Sequence, residues 1–144
     1  MRTSKIQKVI CKEEILKGNL PCENVNNLLY SSEADVLSVL KSGYISEFEV
    51  KISRSDFLAD AKKEKWKFFE NKIEEGIPNY FYYACPDNLI SKEEIQDFAG
   101  LIYVDSNGLE IIKKPKILHR YKHDLTKILT KFCRVKSERQ YLGS

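Results

Sequence analysis

Asp35, Glu49 and Lys51 stand in the stretch ADVLSVLKSGYISEFEVKIS, where two neighbouring strands of alternating polarity would want apolar side chains. Brought together, two carboxylates and an ammonium form either a surface ion-pair ladder or a metal-dependent site for cleaving phosphodiesters. Opposed carboxylates repel, so the pair is costly unless a cation lies between them. Mg²⁺ (or Mn²⁺) suits that place, because it is held by one or two carboxylates plus water and substrate phosphate. Such an ion polarises the scissile phosphate and helps to generate hydroxide from water. The backbone carbonyl of Val50, between the two side chains, is a further candidate ligand. Lys51 is then the group that orients the attacking water and offsets charge developing in the transition state. Against this, an E-x-K on a strand is common, and a solvated ladder of such residues contributes little.

Whether the three residues meet depends on the register of one hairpin. Lys41-Ser42-Gly43 has the form of a three-residue loop, a type I turn followed by a left-handed residue that glycine suits. Leu40 then faces Tyr44, and counting back places Asp35 opposite Glu49 and Glu33 opposite Lys51. Residues opposite one another share a face, as do residues two apart on a strand. Asp35, Glu49 and Lys51 therefore converge on one patch. The other face carries Ala34, Val36, Leu40, Tyr44, Phe48, Val50 and Ile52, a core pattern. A two-residue turn would shift the pairing by one and part the two acids.

The elements around the hairpin read plainly. Thr3 or Ser4 caps a first helix that runs to about Lys17 and ends at Gly18. NLPCENVNNLLYSSE reads as a loop rich in Asn and Ser. SRSDFLADAKKEKWKFFENKIEEG reads as one long helix, capped by Ser53 or Ser55, with Leu58, Ala61, Trp66, Phe69 and Ile73 as its buried stripe. NYFYYACP is a strand buried on both faces, its tyrosines core rather than a base-stacking platform. SKEEIQDF is a short helix capped by Ser91, and GLIYVDSNGLEIIKKP a second hairpin turning at Asn107-Gly108. HDLTKILTKFCRV is a terminal helix followed by a polar, frayed tail from about residue 135. With no repeat or linker, the 144 residues read as a single α/β domain.

Composition narrows the classes. At 42% hydrophobic and 31% charged the chain is too apolar for disorder, and no apolar run nears the ~20 residues of a membrane helix. The charged N-terminus lacks the apolar segment of a signal peptide, so the expected place is the cytoplasm. Cys11, Cys22, Cys85 and Cys133 are too scattered for a zinc module and read as reduced thiols, at least two of them buried. A net charge of +3 says little about nucleic acid; the placement of the charges says more.

Asp35 followed by Glu49-Val50-Lys51 on a hairpin after a helix resembles the PD-(D/E)XK nuclease superfamily. The blocks ADVLSV, FEVKISRSDFLAD, NYFYYACP and AGLIYVDSNGLEII are similar to the MmcB-like DNA-repair family within it, with KISRSDFLAD the most specific. The likeness runs from about Ala34 to about Lys114. It implies a restriction-endonuclease-like fold, a mixed sheet flanked by helices, and metal-dependent action on DNA. It carries over Asp35 and Glu49 as metal ligands and Lys51 as the catalytic lysine. Many members add an acid from the first helix; Glu13 and Glu14 are the candidates here, with Glu33 as a strand alternative.

Around that centre, Arg54 and Ser55 at a helix start are suited to hold a phosphate, and Lys62 and Lys63 to follow the DNA backbone. KKPK with His119, Arg120, Lys122 and His123 makes a second basic cluster, balanced between a phosphate-contacting edge and solvated surface. His119 and His123 have helical metal-site spacing but no third ligand nearby. The expected activity is a DNA endonuclease or nickase in repair or a mobile-element or phage setting. One site per chain means that cutting both strands takes a homodimer or two successive nicks. The rivals are a nuclease fold that binds DNA without cutting it, and a structural or protein-interaction domain.

Overall fold

In the computed structural model, the described residues are 1–29, 33–60, 63, 65–71 and 73–143, with the side chains of 65 and 68 left aside. The described elements are α1 (Thr3–Leu16), β1 (Leu20–Asn26), β2 (Glu33–Val39), β3 (Ile45–Val50), α2 (Arg54–Asp60), α3 (Lys65–Glu70), β4 (Tyr80–Pro86), β5 (Gly100–Asp105), β6 (Gly108–Lys113) and α4 (Leu125–Leu142). Single 3-10 turns lie at Glu74–Gly76 and Lys92–Glu94.

The strands form one six-stranded mixed sheet in sequence order. The outer pairs β1–β2, β2–β3 and β5–β6 are antiparallel, while β3–β4 and β4–β5 are parallel. This is the expected α/β class, a mixed sheet with helices on its faces. Parallel neighbours need a crossover, and β3 reaches β4 through α2 and α3.

The first hairpin has the expected loop. Gly43 sits at φ +90°, its N–H donates to the Leu40 carbonyl at 2.8 Å, and Leu40 N–H donates to the Tyr44 carbonyl at 2.9 Å. The ladder follows from it, with Val39 paired to Ile45 and Val36 to Phe48. Continuing it would bond the Val50 N–H to β2 backbone, but that N–H donates to Asp35 Oδ2 at 2.7 Å instead. The Asp35 side chain takes the place of a rung just beyond the Val36–Phe48 pair of β2 and β3.

Both faces of the sheet are covered, so the face bearing the motif is not a solvated patch. On one side, Ile6 and Ile10 of α1 pack on Val36, Phe48, Val50, Ala84, Ile102 and Val104. On the other, Leu37, Val39, Ile45, Phe81, Tyr83 and Leu101 pack with Phe69 and with Ile128 and Phe132 of α4. The expected core face therefore holds at Val36, Phe48 and Val50, while Ala34 joins the second cluster and Ile52 is 43% exposed.

Several local expectations need correction. The segment read as a loop after α1 contains β1, an edge strand paired with β2 along its length. Among the described residues the expected long helix is two short ones, α2 and α3, and the Asp60 carbonyl at the end of α2 accepts from the Trp66 indole at 2.7 Å and from Lys63 N–H at 3.1 Å. Leu58 is 59% and Ile73 41% exposed, and half-buried Phe57 is the α2 residue that packs against Tyr83. Ala61 lies outside the described residues. SKEEIQDF forms only the 3-10 turn, though Ser91 and Glu94 do make a capping box. The second hairpin turns at Ser106-Asn107, with Gly108 already on β6 opposite Asp105. α1 spans the expected residues but starts at Arg2 without a side-chain cap. α4 begins with an Asp124 cap and runs on to Leu142, and Arg139 near its end donates to the Glu23 carbonyl at 2.6 Å, so the tail is helix rather than frayed. All four cysteines are free, with Cys22 and Cys85 buried. Among the described residues no helix is long and apolar enough to cross a membrane.

Candidate functional site

Alternation along β3 sends Glu47 and Glu49 to the face away from α1, and Lys51 just past the strand follows them. All three are buried. A lone buried charge is costly, so it must be paired and hydrogen-bonded. Lys51 Nζ lies 3.3 Å from Glu49 Oε1, 3.1 Å from Asp60 Oδ1 and 3.9 Å from Asp56 Oδ1. Asp56 and Asp60 come from α2, one turn apart. Ser53 starts that helix by accepting the Asp56 N–H at 3.1 Å; Ser55 is exposed and shares a hydrogen bond with the Ser53 hydroxyl at 3.2 Å.

Asp60 is the hub of the cluster, and sequence reasoning missed it. Its side chain is 1% exposed. The phenol of Tyr83, from β4, donates to Asp60 Oδ2 at 3.3 Å, while Oδ1 faces the Lys51 ammonium. Burial raises the Tyr83 phenol pKa and Asp60 raises it further, so the phenol stays protonated and remains a donor. The expected stripe through Leu58 and Ala61 points Asp60 away from the core; the structure instead places it one turn after Phe57, on the side of α2 that meets Tyr83. An acid there needs a buried cation, and Lys51 is the cation at hand.

Lys63 completes the cluster from outside. Its Nζ lies 3.3 Å from Glu49 Oε1 and 3.1 Å from Asp60 Oδ1, with half of the side chain exposed. Burial pulls its pKa down, but the two carboxylates outweigh that and hold it above the ordinary lysine value. Lys62 lies outside the described residues.

Asp35 sits at the rim, half-buried, with Oδ2 on the Val50 N–H, one residue from Glu49. Gln7 of α1 is buried behind it and donates to the Asp35 carbonyl at 2.9 Å and to Asn24 Oδ1 at 2.8 Å. The first-helix residue beside Asp35 is therefore an amide.

Glu14 is on the wrong side of the sheet for the expected role. It is buried over the α1 face, held by Asn19 Nδ2 at 3.1 Å, in a groove lined also by Ser46, Tyr80 and Tyr82. Even-numbered β3 residues such as Ser46 face that side and odd-numbered Glu49 faces the other, so the sheet separates Glu14 from Glu49. Glu13, on the same helix, is half-buried, and Glu33 is exposed at the start of β2.

Arg54 is already engaged. Its guanidinium makes a two-point contact with Glu94 at 2.8 and 2.7 Å and donates to the Leu89 carbonyl at 3.1 Å. This ties the start of α2 to the β4–β5 connection and holds the Glu94 carboxyl down to about 2. His119 and His123 both place Nε2 on the Ile77 carbonyl, at 3.0 and 2.9 Å, and so brace the chain before α4. In the second basic cluster, Lys122 reaches the Ser42 carbonyl at 2.9 Å and lies over the Tyr44 ring.

Comparison with known proteins adds the fold and no more. A solved structure described as the SPO1766 protein of unknown function from Silicibacter pomeroyi matches with a TM-score of 0.72 at 19% identity, over 97% of this chain and 90% of that one. At that identity the likeness is one of fold alone. No family model matches the chain, and no curated protein matches it.

Proposed function

We propose that this α/β chain is a Mg²⁺- or Mn²⁺-dependent deoxyribonuclease of the PD-(D/E)XK kind, acting as an endonuclease or nickase in DNA repair or a mobile-element or phage setting. The observation that carries the reading is Lys51: a fully buried ammonium, 3.3 Å from Glu49, on the strand that also brings Val50 against Asp35. A lysine sealed in the sheet beside an acid is an expensive arrangement for a structural domain to keep. In an active site it is a fixed positive charge aimed where negative charge develops.

The donor set suits a hard divalent ion. Asp35 and Glu49 supply carboxylate oxygens and Val50 a carbonyl within two residues of one another on β3 and its neighbour. Among the described residues no three His, Cys, Asp or Glu side chains gather as a metal group, so water and substrate phosphate would fill the remaining positions. When bound, the ion supplies Lewis-acid polarisation of the phosphate and a more acidic water. Lys51 orients that water and balances charge on the phosphoryl oxygens. Asp60 and Tyr83 hold Lys51 in one rotamer, while Asp35 and Glu49 fix where the substrate phosphate lies. Phosphate contacts outside this centre fall to Lys63 and the neighbouring lysines; two copies are required only if both strands are cut at once.

A second reading has one observation in its favour. Glu49 Oε1 is shared by two ammonium groups, as in a self-neutralising ion-pair network of a DNA-binding or structural module. Incubation with single-stranded, duplex, nicked and branched DNA and Mg²⁺ or Mn²⁺ separates the two. The nuclease reading expects cleavage that Lys51→Ala lowers about 10²–10³-fold, the loss typical of one electrostatic stabiliser. Cleavage unchanged in Lys51→Ala, or no cleavage and no Mn²⁺ binding, would leave the ion-pair network.

A further inference from the structure

Two carboxylate oxygens and two ammonium nitrogens close a ring beside β3. Glu49 Oε1 is 3.3 Å from both Lys51 Nζ and Lys63 Nζ, and Asp60 Oδ1 is 3.1 Å from both. Charges alternate around the ring and sum to zero.

The two lysines are not equivalent within it. The Lys51 side chain is 2% exposed, rises from the end of a central strand and also faces Asp56. The Lys63 side chain is 51% exposed and enters from the surface. Removing the inner cation would leave the two buried carboxylates one ammonium short. The outer cation can withdraw into solvent, where its charge is fully hydrated, if another positive charge takes its place.

We propose that Lys63 is a place-holding cation that neutralises Glu49 and Asp60 in the ion-free protein and is displaced when a divalent ion binds at Glu49. The inference rests on the reading of Glu49 as a metal ligand and adds a competitor for its oxygen. An ion placed there with both ammonium groups still in position would turn a neutral ring into one of charge +2. Of the two lysines in the ring, Lys63 is the one that can relieve that repulsion by moving outward. Divalent-ion affinity is then lowered by the fraction of time that Lys63 occupies the site.

Isothermal titration of Mn²⁺ into the full chain, without DNA, tests this. Lys63→Met keeps the apolar stem and removes the competing charge, so Mn²⁺ should bind about tenfold more tightly than to wild type. Lys63→Arg, which keeps a cation, should stay near wild type. Lys116→Met, which removes the same charge from an exposed pair with Asp97, should also stay near wild type. If wild type binds Mn²⁺ and Lys63→Met binds it no more tightly, the place-holder role is wrong while the nuclease reading stands. If neither wild type nor Lys63→Met binds Mn²⁺, both fall.

Discussion

Lys51 and Asp60 form a 3.1 Å ion pair in which the two side chains are 2% and 1% exposed. Breaking a buried pair by deleting one partner leaves the other charge uncompensated, at a cost of about 3–5 kcal/mol. Lys63 and the Tyr83 phenol still face Asp60, so Lys51→Met should lower unfolding stability in urea by up to about that amount. Lys51→Met combined with Asp60→Leu should cost less than the sum of the single changes by more than about 1 kcal/mol. Strictly additive losses would show that the two charges do not hold each other.

Asp35 has one role in the fold and a second proposed for it as a metal ligand, and substitution can separate the two. The amide oxygen of Asn can still accept the Val50 N–H, which Asp35 Oδ2 now accepts at 2.7 Å. Asp35→Asn should leave stability within about 0.5 kcal/mol of wild type. Mn²⁺ affinity should fall by about tenfold or more, as the ion loses a charged donor. Calorimetry and urea unfolding on the same sample read both, and the reverse pattern would make Asp35 a structural residue alone.

The register of the motif hairpin depends on Gly43, at φ +90°. A Cβ there would meet only ordinary contacts, Leu125 at 3.7 Å and Lys122 at 3.8 Å, so Gly43→Ala should cost the backbone strain alone, about 1–2 kcal/mol. Gly100 differs: its Cβ would lie 2.8 Å from the Tyr82 ring and 3.1 Å from the Lys113 carbonyl. Gly100→Ala should cost more, up to about 3 kcal/mol, through overpacking. Thermal unfolding of the two variants ranks them, and equal losses would refute the distinction.

Burial pulls the His123 pKa below its ordinary 6.5. The unfolded chain therefore takes up a proton at this site at a higher pH than the folded one. The stability contributed by neutral His123 is fully present above about pH 7 and declines as pH falls through 6.5 toward the folded value. Urea unfolding of wild type across that range should show the decline, and His123→Gln should flatten it. A variant as pH-dependent as wild type would place the titration elsewhere.

The chain's local signals were sufficient wherever a short-range rule decides the outcome. The Lys41-Ser42-Gly43 loop sets the β2–β3 register through one left-handed glycine, and that register carries Asp35 to Val50 and sends Glu49 and Lys51 to one face. The aromatic strand Tyr80–Tyr83, the presence of the second hairpin though not its turn at Ser106-Asn107, and the span of α1 follow from equally local patterns. Tertiary contacts decided the rest. β1 carries Pro21 and two asparagines, Asn24 and Asn26, and is a strand because β2 offers its edge. Two helices, α2 and α3, follow β3, and the Trp66 indole bonds the Asp60 carbonyl that ends the first. Glu14 looked like an acid for the site until packing of Ile6 and Ile10 placed its helix on the far face. Asp60 and Lys63 join Glu49 and Lys51 only when α2 folds back over the sheet. Charge pairing across a fold depends on distances in space, and spacing along a chain reports those only within a turn or a hairpin.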